Sequence, residues 1–280
     1  MNELQALLLG VVQGLTEFLP ISSSGHLILV PWLLDFDYLE EHEDFNKTFD
    51  VAVHAGTLVA VLVYFRQEIW RLIRAALKSI GRRKISTPDE RLAWLIALAT
   101  VPAAAVGAAF SDTIEEDFGD PWQIAILLIV FGVVLWLADR LPERRQMESL
   151  SWVEAAGVGV AQAIALAPGT SRAGITITAG RFLGLTRDAA ARFSFLMLAP
   201  VVAGATVFKG AEVVRDGLPP GSTGPILVGF AAAAVSGFGA IWGLLRYVRT
   251  HSYDVFVVYR LIAGSVVLLL IATGLKPATF

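Results

Sequence analysis

The chain has 280 residues, of which 55% are hydrophobic, and its mean hydropathy is +0.64. A soluble domain runs nearer ~45–50% apolar, so the excess points to lipid rather than to a water-soluble core. A net charge of −3 gives no electrostatic footprint for nucleic acid, and the absence of cysteine excludes disulfides, thiolate metal sites and thiol catalysis.

The chain begins Met1-Asn2-Glu3, without the basic stretch of a secretory signal, so its first apolar block is expected in the mature protein. That block, about 4–34, is interrupted by Leu19-Pro20-Ile21-Ser22-Ser23-Ser24-Gly25. Blocks at roughly 49–65, 92–110 and 122–138 are each long and apolar enough to cross a bilayer. A second interrupted region, about 152–183, is broken by Pro168-Gly169-Thr170-Ser171-Arg172-Ala173-Gly174. Three more crossing blocks follow at 193–208, 225–245 and 255–275. Proline and glycine end helices, and the pieces either side of each break are too short to span ~30 Å reliably at ~1.5 Å per residue. Both interrupted regions therefore read as re-entrant hairpins of two short helices.

Loop charge sets the expected orientation. Segment 66–91 holds Arg66, Arg71, Arg74, Lys78, Arg82, Arg83, Lys84 and Arg91, which places it in the cytoplasm. Segments 35–48 and 111–121 are acidic, with Lys47 their only Lys or Arg, and should lie outside. The chain also repeats itself. Gly10-Val11-Val12-Gln13 is echoed by Gly159-Val160-Ala161-Gln162, and Phe49-Asp50-Val51 by Phe193-Ser194-Phe195. Each half is one hairpin plus three crossings, and an odd number of crossings inverts the second half. The expected fold class is an all-α polytopic membrane protein. It comprises two inverted-topology repeats, six transmembrane helices and two re-entrant hairpins in a single domain 1–280. Repeat one covers about 1–140 and repeat two about 150–280. Broken helices at matching positions of inverted halves mark a binding site near the midplane.

Ionisable groups at the centre of a membrane helix cost about 2.5–3.5 kcal/mol each on insertion scales, so each needs a reason to be there. The two breaks hold Glu17, His26 and Arg172 beside hydroxyls at Ser22, Ser23, Ser24, Thr170, Ser171 and Thr176. Ser23 and Ser171 stand at the expected starts of the second short helices. Unpaired N–H groups and the positive dipole end face out of such starts. Two of them opposed, with Arg172 between, form an anion site suited to phosphate.

Gln13 through His26 (QGLTEFLPISSSGH) and Pro168 through Gly174 (PGTSRAG) resemble the two signature motifs of the undecaprenyl-diphosphatase family of the bacitracin-resistance type. Spans, loops and repeat extend the resemblance over essentially the whole chain. It implies an enzyme of the bacterial plasma membrane, with a site opening to the outer face. That enzyme converts undecaprenyl diphosphate to the monophosphate and recycles the lipid carrier of cell-wall synthesis. By resemblance, Ser23 is the nucleophile, Glu17 the essential acid, His26 the motif histidine, and Arg172 with Ser171 the phosphate-binding pair. Thr176 matches a further hydroxyl of the second motif. Many members have glutamate at both ends of the first motif, whereas this chain has Gln13 and Glu17. An amide oxygen is a weaker ligand for Mg²⁺ or Ca²⁺, so Glu17, with Gln13, is the expected seat of a divalent cation. No organic cofactor is implied; the partners are a polyprenyl diphosphate and membrane lipid.

Alternatives stay open at this level. His26, three residues beyond Ser23, is placed to act as its base or as acid for the leaving phosphate. Ser22 either joins the phosphate-binding set or, like Ser24, caps a helix. His54 is unassigned, Gln162 reads as a backbone-bonding polar group, and Arg260 is expected to snorkel towards the cytoplasm. A lipid-carrier flippase would use the same broken-helix architecture.

Overall fold

The computed structural model describes residues 1–36, 38, 42–218 and 221–279, apart from the side chains of 43, 44, 111–117, 208, 209, 211–214 and 216. Most of the acidic segments used above for orientation thus fall outside the described side chains. Among the described residues the fold is all-helical, with eleven α-helices and one 3₁₀ turn. In chain order they are α1 (Glu3–Phe18), α2 (Ser23–Leu34), α3 (Glu43–Tyr64), α4 (Arg66–Arg82), α5 (Pro88–Asp117) and α6 (Pro121–Asp139). The second half contains α7 (Trp152–Ile164), α8 (Arg172–Phe182), α9 (Arg187–Asp216), α10 (Thr223–Tyr247) and α11 (Asp254–Ala272).

Six helices are long and apolar enough to cross a membrane: Phe45–Tyr64, Pro88–Phe110, Pro121–Asp139, Arg187–Val207, Thr223–Tyr247 and Asp254–Ala272. These coincide with the six crossing blocks read from sequence. The basic segment 66–91, expected as a loop, is largely the amphipathic helix α4. It buries Leu72 and Ser79 while Trp70, Leu77 and Ile80 stay exposed.

The short helices are stacked on long ones. Helix α1 packs along α10 and α7 along α5, while α6 pairs with α11 and α3 with both α9 and α10. In lipid there is no hydrophobic drive between helices, so close approach depends on small residues. A Cβ at Gly10 would come within 2.4 Å of the Gly229 carbonyl oxygen, and one at Gly159 within 2.5 Å of that of Ala99. The two glycines matched in the sequence echo thus make the same kind of close approach on two different helices. Phe18 meets Phe195 edge-on at 5.3 Å, tying the end of α1 to α9 in the largest apolar cluster.

Polar contacts pin the ends of the short helices. Arg145 reaches both ends of the 152–183 segment, donating to the Glu154 carboxylate at 2.7 Å and to the Leu183 carbonyl at 3.0 Å. The hydrogen bonds Glu154 accepts from Arg145, and then from the Ser151 N–H, pull its carboxyl down to about 2. At the other pole, Glu3 lies beside Gly224, Lys276 Nζ donates to Asp35 Oδ1 at 2.5 Å, and Trp32 donates to the Pro277 carbonyl at 3.3 Å. Those contacts bring the start of α1 and the end of α2 to the ends of α10 and α11.

Candidate active site

The breaks between α1 and α2 and between α7 and α8 meet inside the helix bundle, where the Ser22 hydroxyl of one accepts from the Gly169 N–H of the other at 3.1 Å. The two tips are built alike. Ser22 (φ 77°, ψ 99°) and Ser171 (φ 75°, ψ 111°) are the N-caps of α2 and α8, both in the positive-φ region that L-residues rarely adopt. Each serine hydroxyl accepts from the glycine N–H three residues on, Gly25 at 3.3 Å and Gly174 at 3.0 Å. Ser22 thus takes the capping role that the sequence offered it, Ser23 starts its helix as expected, and Ser171 is the cap one residue before the start of α8. Ser23 and Arg172 occupy the equivalent first helical positions.

Around these starts the charged and hydroxyl side chains converge. Glu17, 7% exposed, sits on the last turn of α1. Its Oε1 accepts from Arg172 Nη2 at 3.0 Å, and its Oε2 from the Ser23 hydroxyl at 2.5 Å and from Gln13 Nε2 at 3.2 Å. Arg172 Nη1 donates to the Ser194 carbonyl of α9 at 2.9 Å. The Thr176 hydroxyl lies 2.7 Å from Ser194 Oγ and 2.8 Å from the Arg172 carbonyl. Glu17, Ser23, Gln13 and Arg172 thus form one contiguous cluster drawn from both tips. Ser171 and Thr176 buttress it from α8, and Ser22 acts as its cap. Among the described residues Ser24 reaches only Ser22, at 3.5 Å.

His26 turns away from this cluster. Its Nδ1 lies 2.6 Å from the Ser22 carbonyl, which makes Nδ1 the donor, and its Nε2 accepts from the Tyr259 hydroxyl at 2.6 Å. Both ring nitrogens are engaged, neither by Ser23. His54 on α3 is held by Asp50, with Nδ1 at 2.8 Å from its carbonyl and 3.4 Å from its carboxylate. Arg260 does not snorkel. It is fully buried, and donates to the carbonyls of Pro20, Gly169 and Thr170 in the two tips and of Leu127 and Leu128 in α6.

Three contributors escape a sequence reading: Tyr259, Arg260 in this role, and Ser194. For Ser194 a signal exists, because the repeat aligns Phe193-Ser194 with Phe49-Asp50. Tyr259 and Arg260 lie in a span whose composition gives depth but not the neighbours of one face.

A divalent cation has few protein ligands here. Among the described residues no group of three or more His, Cys, Asp or Glu is placed to hold one. The Gln13 Oε1, however, is buried with no hydrogen-bond partner among the described residues, beside the Glu17 carboxylate its own Nε2 contacts. One carboxylate and one free amide oxygen fit an ion of the Mg²⁺ type that arrives with substrate phosphates, since such ions take only one or two carboxylates from protein. Among the described residues Gln162 finds no partner for either amide atom, so the expected backbone bond is not among their hydrogen bonds.

This is a multi-pass helical protein in which a serine and an arginine from two helix starts meet on one buried carboxylate, an arrangement of the kind that suits a phosphate. The bacitracin resistance protein BacA family matches residues 6–266. The undecaprenyl-diphosphatase of Geobacter sulfurreducens is 49% identical over 270 residues, covering 96% of this chain and 98% of that protein. That of Pelobacter propionicus is 47% identical over 278 residues, 99% of this chain and 100% of its own, and that of Rubrobacter xylanophilus 44% over 266 residues. The chain belongs to the BacA family.

Proposed function

We infer that this chain is an undecaprenyl-diphosphatase of the bacterial plasma membrane, releasing inorganic phosphate from undecaprenyl diphosphate and so contributing to bacitracin resistance. The observation that carries the mechanism is the Ser23 hydroxyl donating to Glu17, a carboxylate paired with Arg172 from the opposite tip. A serine hydroxyl is a weak nucleophile until a base takes its proton. Glu17 Oε2 is the base in contact with it. Ser23 Oγ attacks the terminal phosphorus while its proton passes to Glu17. The bridging P–O bond breaks, its electron pair leaves with the lipid monophosphate, and that product carries the proton away. Water then attacks the phosphoserine, giving its proton through Glu17 to Ser23 Oγ and releasing inorganic phosphate. Arg172 and the free N–H groups of the α2 and α8 starts face the oxygens on which charge builds. Ser171 and Thr176 hold α8 and Arg172 in place, and His26 positions the first tip through Ser22 and Tyr259. A cation held by Glu17 and the Gln13 amide oxygen would neutralise diphosphate oxygens.

The architecture we propose is two inverted repeats, about 1–140 and 150–280, forming one membrane domain with α1–α2 and α7–α8 as re-entrant hairpins. Its support is reciprocal packing: α1 of the first half lies on α10 of the second, and α7 of the second on α5 of the first. The Arg145 contacts at both ends of 152–183 also favour a segment that returns to its own side. With 66–91 cytoplasmic, the first tip enters from the outer face, where the site would open.

Phosphate release by the purified chain from undecaprenyl diphosphate in detergent, with and without chelator, tests the reading. Substrate translocation across vesicles without phosphate release would instead assign a flippase.

A further inference from the structure

We propose that Arg260 is a positioning residue for phosphoryl transfer: it fixes the spacing of the two tips and supplies the positive charge that a bound diphosphate neutralises. The inference rests on the diphosphatase reading for its reaction, but not for its anion. Arg260 stands in the first half of α11, and no part of it reaches solvent. Its Nε donates to the Leu128 carbonyl at 2.9 Å and its Nη1 to that of Pro20 at 3.1 Å. Its Nη2 reaches the carbonyls of Leu127 at 3.2 Å, Gly169 at 3.0 Å and Thr170 at 3.1 Å. Pro20 belongs to the first tip, Gly169 and Thr170 to the second. One rigid planar fork therefore sets how far apart the tips lie, and so how Ser23 faces Arg172. The Nη1 end also fills the space a side chain at Gly174 would need, since a Cβ there would sit 3.1 Å from it.

Charge accounting adds the second half. Glu17 and Arg172 cancel one another. Every described hydrogen bond of Arg260 goes to a neutral carbonyl, and no described carboxylate pairs with it. Buried charges are ordinarily paired, so a guanidinium bonded to both tips through neutral carbonyls lacks its anion. A diphosphate bound at the tips is that anion. A purely mechanical clamp would hold the tips equally well without sensing anions, and the two roles separate experimentally.

The full-length protein is compared in detergent with Arg260→Lys and Arg260→Met, thermal unfolding serving as the folding control and Arg260→Gln replacing Met if that variant does not fold. Lysine keeps the charge but loses the fork. Its kcat on undecaprenyl diphosphate should fall about 100-fold, as a misplacement of about 1 Å does. Its KM, and the affinity of inorganic diphosphate used as a probe, should stay within about threefold. The neutral variant should lose kcat and also bind inorganic diphosphate at least about tenfold more weakly. Wild-type turnover in Arg260→Lys would overturn the spacing role, and equal diphosphate affinity in the charged and neutral variants would overturn the charge role. Direct binding of inorganic diphosphate decides the charge role even if the wild-type protein releases no phosphate, an outcome that refutes the diphosphatase reading and, with it, the spacing role in phosphoryl transfer.

Discussion

Adjacent serines in the first tip should fail in opposite ways when replaced by alanine. Ser22 Oγ accepts from two backbone N–H groups, Gly25 at 3.3 Å and Gly169 at 3.1 Å, and the second of these bonds joins the tips. Removing it leaves buried donors without partners and strips a helix cap, a loss of about 2–4 kcal/mol in stability. Ser23 makes one side-chain bond, to Glu17, and that carboxylate keeps Arg172 and Gln13 when the hydroxyl goes. Ser23→Ala should thus cost only about 1 kcal/mol of stability while turnover falls ~10³-fold or more, as loss of a catalytic serine does elsewhere. Ser22→Ala should show the reverse ranking, with the larger drop in unfolding temperature and a loss of kcat within about 100-fold. Steady-state phosphate release and thermal unfolding of the two purified variants provide the comparison. Retention of a tenth or more of wild-type turnover by Ser23→Ala would remove the serine from the reaction and leave the attack to water.

Further outcomes follow from the same geometry. Arg172→Lys keeps a charge but cannot bridge Glu17 and the Ser194 carbonyl with one planar group, so kcat should fall about 100-fold in a folded protein; near-normal kinetics would make the arginine dispensable. Gln13→Glu places a second carboxylate against Glu17, and should lower the Mg²⁺ or Ca²⁺ concentration giving half-maximal activity and make unfolding temperature metal-dependent. An unchanged metal response in both readouts would mean that position 13 does not meet the ion. The chain lacks cysteine, so single cysteines report topology against a clean background. A cysteine at Arg83 should resist an impermeant thiol reagent in intact cells, and one at Leu275, 71% exposed, should label. The opposite pattern would invert the proposed orientation.

The six long helices were legible because lipid demands long apolar runs, and the two breaks because Pro, Gly and Ser interrupt such runs visibly. Glu17 and Arg172 stood out for a related reason: an ionisable residue in an apolar block has few tolerable places. What the pattern could not give was direction. His26 is one helical turn from Ser23, which suggests a shared pocket. Instead its ring folds back onto the carbonyl of the strained cap Ser22 and is held there by Tyr259, from a helix more than two hundred residues later. Arg260 shows the same limit of the pattern. Six residues from Asp254 it reads as a snorkelling side chain, yet five backbone carbonyls, most freed by the helix breaks, make the interior the better solvent for it.

The two tips show how one backbone device can serve two chemical roles. Each has a positive-φ serine cap bonded to a glycine three residues on, and each presents the next residue at the first turn of a short helix. There the sequences part: Ser23 on one tip, Arg172 on the other. A helix start already favours an anion through its free N–H groups. In the proposed mechanism, the hydroxyl at one start attacks the phosphate that the helix starts attract, and the guanidinium at the other start neutralises it. Glu17 contacts both, and is the residue without an acidic counterpart in the second half, where Leu166 stands at the equivalent distance from its tip. In the proposed mechanism, the asymmetry that makes one reactive pair of two similarly built tips is therefore concentrated in Glu17 and in the two residues it joins across them, Ser23 and Arg172.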